Sequence, residues 1–431
     1  MCGIAGIFHF DGGEADRGLL GRMTTAIAHR GPDGAGTLCV GEVGLGHRRL
    51  SIIDLEGGAQ PIANEDDSVH VVFNGEIYNF VELRDELIAK GHTFRTKSDT
   101  EVIVHAYEQW QSDCVKRFNG IFAFALWDAN KKTLFLARDH LGVKPLYYTI
   151  RNNRLLFGSE IKAILEAGDC PREVDLHALA DLFTVRYVPS PRTLFQDIFK
   201  LSPGHTLVAT SSGVQIRRYW DWKATASRRE AESVLVEEYQ SLVEDCVRLQ
   251  LRSDVPVGLY LSSGIDSSAL LAKMGQHAGG QIRTFTIGFE GGEASNETDD
   301  ARALAKRFGA DHSEMILGST DFERYYERYL WDLEEPVGHE PAVAFYFLSL
   351  LASEKVKVVL CGQGADEPWA GYQRYVGMNL SRFYSRLPAV VTRAVANYVD
   401  RYARNERLRR GTQALPEKDV LSRIVKVYSF Y

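Results

Sequence analysis

In the first half of the chain, short apolar runs of strand length alternate with polar turns. Residues 4–8 and 69–73 have the composition of buried strands. The runs 122–128 and 133–139 are separated by a polar turn, which predicts a hairpin. This half is therefore expected to contain antiparallel sheets.

Two helix starts can be located in the same half. Asn79 is placed as a helix N-cap with Glu82 at the third helical position, and Gly91 is placed at the end of that helix. Residues 97–101 open the next helix, where Asp99 could cap the helix or bind a substrate ammonium group. The sequence leaves both interpretations of Asp99 open.

The second half changes to alternating strands and helices, the pattern of a parallel sheet. The apolar strand 255–261 is followed by a small-residue loop and a helix from Ala269. A second strand, 283–289, precedes a helix that starts at Thr298, and a third strand is expected at 356–360. The expected fold is thus α/β in this half and α+β in the first.

Composition places the chain among ordinary globular proteins. Its 431 residues are 45% hydrophobic and 25% charged, with a formal net charge of −7. This balance gives no reason to expect binding to nucleic acid or to an anionic membrane. The segment from Gly371 onward is basic, and we interpret it as amphipathic helices that complete the second domain.

The cysteines bear on the cellular compartment. The six cysteines lie far apart and form no Cys-x-x-Cys pair, which argues against a disulfide framework and a zinc site. The sequence shows neither a signal peptide nor an apolar run of membrane-spanning length. We therefore expect a cytoplasmic protein.

The N-terminal stretch Met-Cys-Gly-Ile offers a nucleophile. Removal of Met1 would leave the Cys2 thiol beside its own α-amine, which can serve as its general base. An isolated free cysteine is more often a small buried hydrophobic residue. Cys2 by itself leaves both interpretations open.

Asn74 and Gly75 follow a predicted strand. An Asn-Gly pair at that place is usually a turn, but it also offers a side-chain amide and an unhindered backbone N–H, the donors of an oxyanion hole. Arg49, at the mouth of another apolar segment, could hold a carboxylate through two hydrogen bonds.

Taken together, these motifs resemble the class II glutamine amidotransferase domain, an N-terminal-nucleophile fold. The resemblance rests on Cys-Gly-Ile, His-Arg-Gly-Pro-Asp, Arg-Leu-Ser-Ile, Asn-Gly-Glu-Ile-Tyr-Asn, Ser-Asp-Thr-Glu and Arg-Asp-His-Leu-Gly-Val-Lys-Pro-Leu-Tyr-Tyr. It implies an αββα sandwich with Cys2 as nucleophile and Asn74 and Gly75 as oxyanion hole. It also implies a glutamine site made by Arg49, Leu50, Ser51, Ile52, Ile53, Asn74, Gly75, Glu76 and Asp99.

In the second half, two strands lead into loops suited to phosphate. Residues 262–268 form a Ser/Gly loop whose backbone N–H groups could bind a phosphate, although no Walker lysine is present. Asp266 in this loop would repel a phosphate unless Mg²⁺ lay between them. Asp366 follows the strand at 356–360 in a similar loop, so one nucleotide-and-metal site is favoured over two unrelated acidic loops.

This half resembles the synthetase domain of glutamine-dependent asparagine synthetases, an ATP pyrophosphatase of the adenine nucleotide α-hydrolase type. The family loop Ser-Gly-Gly-x-Asp-Ser is matched by residues 262–267 with one glycine replaced. The resemblance implies that Asp266 and Asp366 hold Mg²⁺ and pyrophosphate. It also implies ATP contacts at Leu261, Ser262, Ser263, Gly264, Asp266, Ser267, Ile287, Cys361 and Gly362.

The chain departs from this family at two places. The family's Ser-Gly-Glu-Gly is Cys-Gly-Gln-Gly here, so Gln363 stands at the adenylation site where a carboxylate is usual and cannot accept a proton. The chain also ends at Tyr431, before the family's late catalytic lysine. Either the sequence is a fragment or part of the synthetase site has been lost.

The sequence therefore predicts a glutamine-hydrolysing ligase with two domains, residues 2–215 and 232–431. The expected substrates are L-glutamine, ATP and L-aspartate, with Mg²⁺ as cofactor and asparagine as product. Two alternatives stay open: amidation of another carboxylate, and a non-catalytic glutamine-binding scaffold. The oligomeric state is also open, with a homodimer among the options.

Overall fold

The computed structural model describes residues 1–223, 228–291, 297–337, 341–372 and 387–403. It also describes residues 375, 409, 412, 414–417, 419 and 422. Most of the basic segment from Gly371 onward, on which the prediction of terminal amphipathic helices rests, lies outside these residues.

The strands of the first half are β1 (Gly3–His9), β2 (Gly34–Val40), β3 (Val43–Arg49), β4 (Ile62–Ala63), β5 (Val69–Ile77), β6 (Gly120–Asp128), β7 (Thr133–Arg138), β8 (Tyr147–Arg151), β9 (Arg154–Gly158), β10 (Phe199–Lys200), β11 (His205–Thr210) and β12 (Gly213–Arg218). The strands of the second half are β13 (Val257–Tyr260), β14 (Arg283–Phe289), β15 (Asp311–Leu317) and β16 (Val358–Leu360).

The helices of the first half are α1 (Arg17–Ala26), α2 (Phe80–Ala89), α3 (Asp99–Trp110), α4 (Ile161–Leu165) and α5 (Leu176–Val185). Those of the second half are α6 (Glu232–Gln250), α7 (Ile265–His277), α8 (Thr298–Arg307), α9 (Ser319–Leu333), α10 (Pro341–Ser353), α11 (Asp366–Trp369) and α12 (Ala389–Tyr402). None of the helices in the described residues is long and apolar enough to cross a membrane.

Two six-stranded antiparallel sheets form the first half. Their orders are β10-β8-β9-β1-β3-β2 and β12-β11-β7-β6-β5-β4. Helices α1 and α4 pack on the outer face of the first sheet, and α2 and α3 pack on the outer face of the second. The predicted αββα sandwich is confirmed.

Strand β1 lies at the centre of this sandwich. Ile4 and Phe8 point into the core between the two sheets, whereas Ala5 and Ile7 point towards α1 and α4. Both faces of the strand are thus buried, which explains why its sequence is continuously apolar rather than alternating. The N-terminus is thereby held in a fixed place.

The second half contains a parallel sheet of order β15-β14-β13-β16. Helices α6, α7 and α8 pack on one face around Leu259, and α10 packs on the other face against Phe285. The carboxyl ends of neighbouring parallel strands lie at one edge of a sheet, where α/β proteins bind ligands. The predicted α/β fold of this half is confirmed.

Two local predictions were wrong. Asn74 and Gly75 lie inside β5 and not in a turn after it. Helix α7 begins at Ile265, not at Ala269, because Gly264 takes the N-cap position without a side-chain bond. Asp266 therefore lies in the first turn of this helix.

The capping box predicted for α2 does not form. Asn79 stands at the N-cap position, but its side chain bonds Arg117 O at 3.0 Å and Asn119 N at 2.9 Å. Glu82 pairs instead with Arg252 of the second half, through two hydrogen bonds of 2.5 and 2.6 Å. A contact between the two halves thus takes Glu82, and a contact within the first half takes Asn79.

Candidate active sites

A small cavity beside the start of β1 gathers most residues of the predicted glutamine site. Its walls include Cys2, Arg49, Leu50, Ile52, Ile53, Gly75, Glu76 and Asp99. They also include residues that the sequence did not single out, namely Gly58, Gln60, Phe73, Ser98 and Thr100. Ser51 and Asn74 are not among the lining residues. The cavity measures about 30 Å³, so a glutamine side chain would fit only after part of the wall moves outward.

The Cys2 thiol lies against the backbone of Leu50. It accepts a hydrogen bond from Leu50 N at 3.3 Å and lies 3.6 Å from Leu50 O, while the Cys2 carbonyl accepts a bond of 2.9 Å from Arg30 Nε. Burial raises the pKa of the thiol. A base close by is needed to make it a nucleophile.

The chain terminus supplies an environment for such a base. Burial lowers the pKa of the Met1 α-amine to about 5, although the residue as a whole is largely exposed. An amine in these surroundings is mostly unprotonated at neutral pH and is thus able to accept a proton. Removal of Met1 would expose the α-amine of Cys2, which lies one residue after the Met1 amine and next to the Cys2 sulfur.

Asn74 is buried in β5 with an unusual lack of partners. The residue is 1% exposed, and neither Nδ2 nor Oδ1 has a hydrogen-bond partner among the residues that the structure describes. Buried side-chain amides without a partner are rare in folded proteins. An unpartnered donor next to Gly75, which lines the same cavity as Cys2, suits an oxyanion hole.

Gly75 is required by close packing in the sheet. It pairs with Phe122 of β6, and a Cβ atom at this position would lie only 2.2 Å from the carbonyl oxygen of Ile121. A side chain would therefore push the two strands apart. The glycine lets the backbone of β5 form the cavity wall.

Glu76 and Asp99 bring two carboxyl groups into the same wall. Burial raises the pKa of Asp99 to about 6, against hydrogen bonds that include one of 3.0 Å from Ile77 N. Burial and the charge of Asp99 also raise the pKa of Glu76 well above its usual value. A cation bound between the two would relieve both effects, and an amino acid's ammonium group is such a cation.

The structure excludes one of the two interpretations of Asp99, and its binding of a substrate ammonium group stays a prediction. Ser98, and not Asp99, caps α3, since its hydroxyl accepts a hydrogen bond from Thr100 N at 3.2 Å. Asp99 is the first residue of the helix and lies in the cavity wall. The capping interpretation of Asp99 was wrong.

The loop before Asp99 is held by groups that the sequence did not single out. The Glu101 carboxylate accepts hydrogen bonds from Arg95 N and Thr96 N, each at 2.7 Å. These bonds and the nearby His105 ring, whose Nε2 lies 3.6 Å from Oε1, outweigh burial and lower the pKa of Glu101 to about 2. Burial lowers the pKa of His105, but the neighbouring carboxylates of Glu101 and Glu108 outweigh it and raise this pKa to about 9. A buried ion pair thus anchors this loop.

Arg49 is oriented by the backbone of the loop that follows it. Its guanidinium group donates hydrogen bonds to the carbonyls of Leu55 at 3.0 Å and Asp54 at 2.5 Å. The second half reaches this loop as well, because Asp254 Oδ2 accepts a bond of 2.7 Å from Asp54 N. The cation is thus fixed at the wall of the cavity.

A second cavity, of about 760 Å³, lies at the carboxyl edge of the parallel sheet. It is lined by predicted residues Leu261, Ser262, Gly264, Asp266, Ser267, Ile287, Cys361, Gly362, Gln363 and Asp366. Ser263 is not among the lining residues. Residues that the sequence did not single out complete the wall, namely Tyr260, Thr286, Phe289, Glu297, Phe322, Ala344, Phe345 and Leu348. Its volume is typical of a site for a ligand of nucleotide size.

In the loop between β13 and α7, the N–H groups of Ser262, Ser263 and Gly264 already have partners within the protein. Ser263 N donates a hydrogen bond of 3.3 Å to a carboxylate oxygen of Glu297. Ser267 Oγ braces the loop, accepting a bond from Ser262 N at 3.1 Å. Gly362 packs closely, since a Cβ there would lie 2.9 Å from Asp266 Cβ. The two loops thus meet at one site.

The carboxylates of Asp266 and Asp366 fit a hard cation. Both line the cavity, and neither carboxylate forms an ion pair with any residue in the described part of the chain. Mg²⁺ prefers oxygen ligands and is often held by one or two carboxylates together with substrate phosphates. The donor set is therefore suitable for Mg²⁺ bound with a polyphosphate.

Both halves match known protein families. Residues 1–220 match a family described as a glutamine amidotransferase domain, and residues 238–428 match one described as asparagine synthase.

Three curated proteins are similar over most of the chain. Asparagine synthetase [glutamine-hydrolyzing] 1 of Bacillus subtilis is 37% identical over 393 residues, which cover 90% of this chain and 62% of the relative. A Methanocaldococcus jannaschii protein, provisionally named asparagine synthetase [glutamine-hydrolyzing] 2, is 35% identical over 90% of this chain and 79% of its own length. A Penicillium rubens protein named Amidase chyE is 33% identical, covering 81% of this chain and 54% of its own length. The chain thus spans between about half and four fifths of these relatives.

Proposed function

The chain belongs to the family of glutamine-hydrolysing asparagine synthetases, and we propose that it is a glutamine-dependent carbon–nitrogen ligase that converts aspartate to asparagine. The observation that carries the proposal is the convergence of Cys2, Arg49, Gly75, Glu76 and Asp99 in one cavity. Thiol, cation and carboxylates together match the amide, α-carboxylate and α-ammonium of one glutamine molecule.

In the first domain, proposed as residues 2–215, Cys2 attacks the side-chain amide of glutamine. The α-amine of Cys2 takes the thiol proton and later delivers a proton to the leaving ammonia. Asn74 Nδ2 and the N–H of Gly75 stabilise the oxyanion of the tetrahedral intermediate. Water then cleaves the thioester, releasing glutamate.

Glutamine is positioned by groups at both ends of the cavity. Arg49 binds the α-carboxylate, while Glu76 and Asp99 bind the α-ammonium group. The backbone segment of Leu50, Ser51, Ile52 and Ile53 forms the remaining wall. Two charged groups of opposite sign thus fix the orientation of the reacting amide relative to the thiol.

In the second domain, proposed as residues 232–431, the carboxylate of aspartate attacks the α-phosphate of ATP and releases pyrophosphate. Ammonia then displaces AMP from the acyl adenylate. Asp266 and Asp366 would hold Mg²⁺, which neutralises phosphate charge when bound. The loop of residues 262–264 and the wall of Leu261, Ile287, Cys361 and Gly362 bind the nucleotide. Both ammonia and the adenylate need protection from bulk water.

Two assays on the same preparation test the proposal. Glutamine hydrolysis is measured as released glutamate, and adenylation is measured as exchange of labelled pyrophosphate into ATP that depends on aspartate. Cys2→Ala is expected to remove the first activity and keep the second. A preparation in which Cys2→Ala hydrolyses glutamine at the wild-type rate would exclude the assignment of the nucleophile.

A different acceptor carboxylate is the second candidate. Gln363, which replaces the usual glutamate in the cavity wall, and the similarity to a relative named as an amidase favour it. Pyrophosphate exchange over a panel of amino-acid, sugar-acid and peptide carboxylates separates the two. Exchange that requires aspartate supports asparagine formation. Exchange that occurs with another carboxylate but not with aspartate would identify that carboxylate as the acceptor instead. A reducing compartment such as the cytoplasm suits either reaction, since all six cysteines are free.

A further inference from the structure

Two histidines and a glutamate of the first domain meet beside α3. One ligand atom each of His92, His105 and Glu108 lie within 4.8 Å of one another. In the part of the chain that the structure describes, this is the one group of three metal-ligating side chains so close together. None of the three lines either of the two cavities described above. The proposed reactions use none of them, so the group needs an explanation of its own.

His92 is placed by the end of α2. Gly91, just before it, has a φ of 99°, a conformation that glycine adopts without strain. Gly91 N donates a hydrogen bond to Ile88 O at 2.9 Å, and His92 N donates to Leu87 O at 3.1 Å. This pair of bonds is a common way to end a helix. It brings the His92 ring to α3, where Nδ1 lies 3.5 Å from Glu108 Oε2.

His105 and Glu108 share one face of α3. They are three positions apart, a spacing that makes helix side chains neighbours. His105 Nδ1 lies 2.9 Å from Glu108 Oε2, the same oxygen that faces His92 Nδ1. The other oxygen, Oε1, accepts a hydrogen bond of 2.7 Å from Asn64 Nδ2. The carboxylate is therefore held with Oε2 turned towards both imidazole rings.

The ligand set and its spacing suit zinc. Two histidines and one glutamate form known zinc sites, in which bonds to nitrogen and oxygen measure about 2.0–2.2 Å. Tetrahedral geometry then places neighbouring ligand atoms about 3.3 Å apart. The distances of 2.9 and 3.5 Å around Glu108 Oε2 are close to this value. The set contains no cysteine, so the wide spacing of the cysteines has no bearing on it.

The second nitrogen of each ring faces an oxygen. His92 Nε2 lies 3.2 Å from Gln109 Oε1, and His105 Nε2 lies 3.6 Å from Glu101 Oε1. Imidazoles that bind a metal usually direct their other N–H to a carboxylate or carbonyl oxygen, which fixes the ring orientation and the tautomer. The His105 ring is fully buried, and its Nε2 has no hydrogen-bond partner among the described residues. A bound ion is one explanation for such an atom.

A proton on His105 is the competing explanation. A protonated ring would attract the carboxylates of Glu101 and Glu108 and would hold this part of α3 together without a metal. It does not explain the position of His92, whose Nδ1 faces the same Glu108 oxygen at 3.5 Å, too far for a good hydrogen bond. A metal ion uses both rings and the carboxylate at once. The His92 and Glu108 side chains are 16% and 25% exposed, which gives water access to a fourth position.

We propose that His92, His105 and Glu108 bind a divalent transition-metal ion, for which Zn²⁺ suits the ligand set. The ion has a structural role, since it crosslinks the residue after α2 to the middle of α3. Asp99, the first residue of α3, lies in the wall of the glutamine cavity. The ion therefore also steadies the helix that carries this carboxylate.

Zinc binding by the full chain without an affinity tag tests the proposal. The chain is dialysed against a chelator, and Zn²⁺ is then titrated in competition with a chromogenic chelator. Excess Mg²⁺ is present to occupy any site made of oxygen ligands alone. One Zn²⁺ per chain is expected. A ligand at about a hundredfold excess over its Kd should also raise the melting temperature by at least about 5 °C.

His92→Ala removes one ligand from a partly exposed position. It should lower the zinc affinity at least about a hundredfold, because even the loss of an outer-shell partner costs about ten- to a hundredfold. His277→Ala is the matched control. His277 Nε2 lies 3.6 Å from Glu244 in a similar pair, but no third ligand accompanies it among the described residues. This variant should keep the wild-type affinity and stoichiometry.

Other results contradict the inference, each in a different way. Equal zinc affinity of the wild-type chain and His92→Ala excludes the three-residue site, and the proton on His105 then explains the group. Loss of binding in His277→Ala places the zinc elsewhere. A melting temperature that saturating zinc leaves unchanged excludes the structural role. If His92→Ala does not fold, Glu108→Gln is measured in its place, since it removes a ligand charge and keeps an oxygen for Asn64.

Discussion

Replacing Asn74 by alanine should lower the kcat of glutamine hydrolysis strongly without a comparable loss of stability. Nδ2 of Asn74 has no partner among the described residues, so the free enzyme loses no hydrogen bond when the amide is removed. The transition state, in contrast, loses one donor to its oxyanion. Such a deletion typically costs about 10²–10³ in kcat, or roughly 3–4 kcal/mol.

The effect on stability follows from the same missing partners. A buried polar group without a hydrogen bond destabilises the fold by about 1–3 kcal/mol. Truncation to alanine removes this penalty but leaves a small void, which costs about as much. The two contributions have opposite signs, so we expect the free energy of unfolding of Asn74→Ala to stay within about 1 kcal/mol of wild type.

Asn64 provides a matched control. It is 3% exposed, like Asn74, but its amide is fully bonded. Oδ1 accepts from Ser68 N at 2.9 Å and from Val69 N at 3.0 Å, and Nδ2 donates to Glu108 at 2.7 Å. Asn64→Ala should therefore destabilise the protein by about 2–4 kcal/mol. It lies outside the glutamine cavity, so its kcat should be unchanged.

Steady-state kinetics with glutamine and thermal melting of the three proteins measure both quantities. The two variants are expected to show opposite patterns: a low kcat with a normal melting temperature for Asn74→Ala, and a normal kcat with a lowered melting temperature for Asn64→Ala. If Asn74→Ala raised KM and left kcat unchanged, Asn74 would bind glutamine without stabilising charge. If the melting temperatures of both variants fell by the same amount, the conclusion that the Asn74 amide has no hydrogen-bond partner would be wrong.

Three further predictions concern the two cavities. Cys2→Ala should abolish glutamate release while ammonia-dependent synthesis persists, and loss of both activities would contradict separate sites. Asp266→Ala and Asp366→Ala should each remove Mg²⁺-dependent ATP binding in calorimetric titration and leave glutaminase activity intact. Equal ATP affinity with and without Mg²⁺ in the wild-type chain would contradict a metal site at these two residues. The pKa of Asp99 is about 6, so kcat/KM for glutamine should fall about tenfold per pH unit below that value as the carboxylate is protonated and loses the substrate ammonium. A flat profile between about pH 5 and 7 would exclude this role.

The fold could be predicted well where one residue pattern decides the structure. The run that became β14 (Arg283–Phe289) is bounded by residues that favour turns, and the structure has the strand at the predicted residues. The same holds for the hairpin of β6 and β7, whose register joins Asp128 to Thr133. In these segments, local preference and burial agree, so the sequence alone suffices.

Prediction was wrong where distant contacts compete with local chemistry. Asn79 has the residue type and spacing of an N-cap, yet its amide bonds to the backbone of Arg117 and Asn119. Glu82 is taken by Arg252, a residue far along the chain. No local pattern carries information about such partners. The capping rule therefore placed the helix correctly and assigned its side chains wrongly.

In the candidate sites too, residues within local motifs could be predicted and residues brought in by distant contacts could not. Motifs identified the residues of both cavities that come from strand ends and loops. They did not identify Phe322 and Phe345, because aromatic residues on helices usually belong to the core. They also missed Glu160, which a motif could not connect to Arg30 since the two are 130 positions apart in the sequence. Such residues become visible only when the folded chain brings them together.

The close approach of Gly75 to Ile121 limits how this enzyme can be altered, by evolution or by design. Any side chain at position 75 meets a backbone oxygen at 2.2 Å and must disturb β5 and β6 before it can tune catalysis. Asn74, one residue earlier, has no such constraint on its amide. Substitutions that keep the fold are therefore possible at position 74, whereas any side chain at position 75 disturbs the sheet.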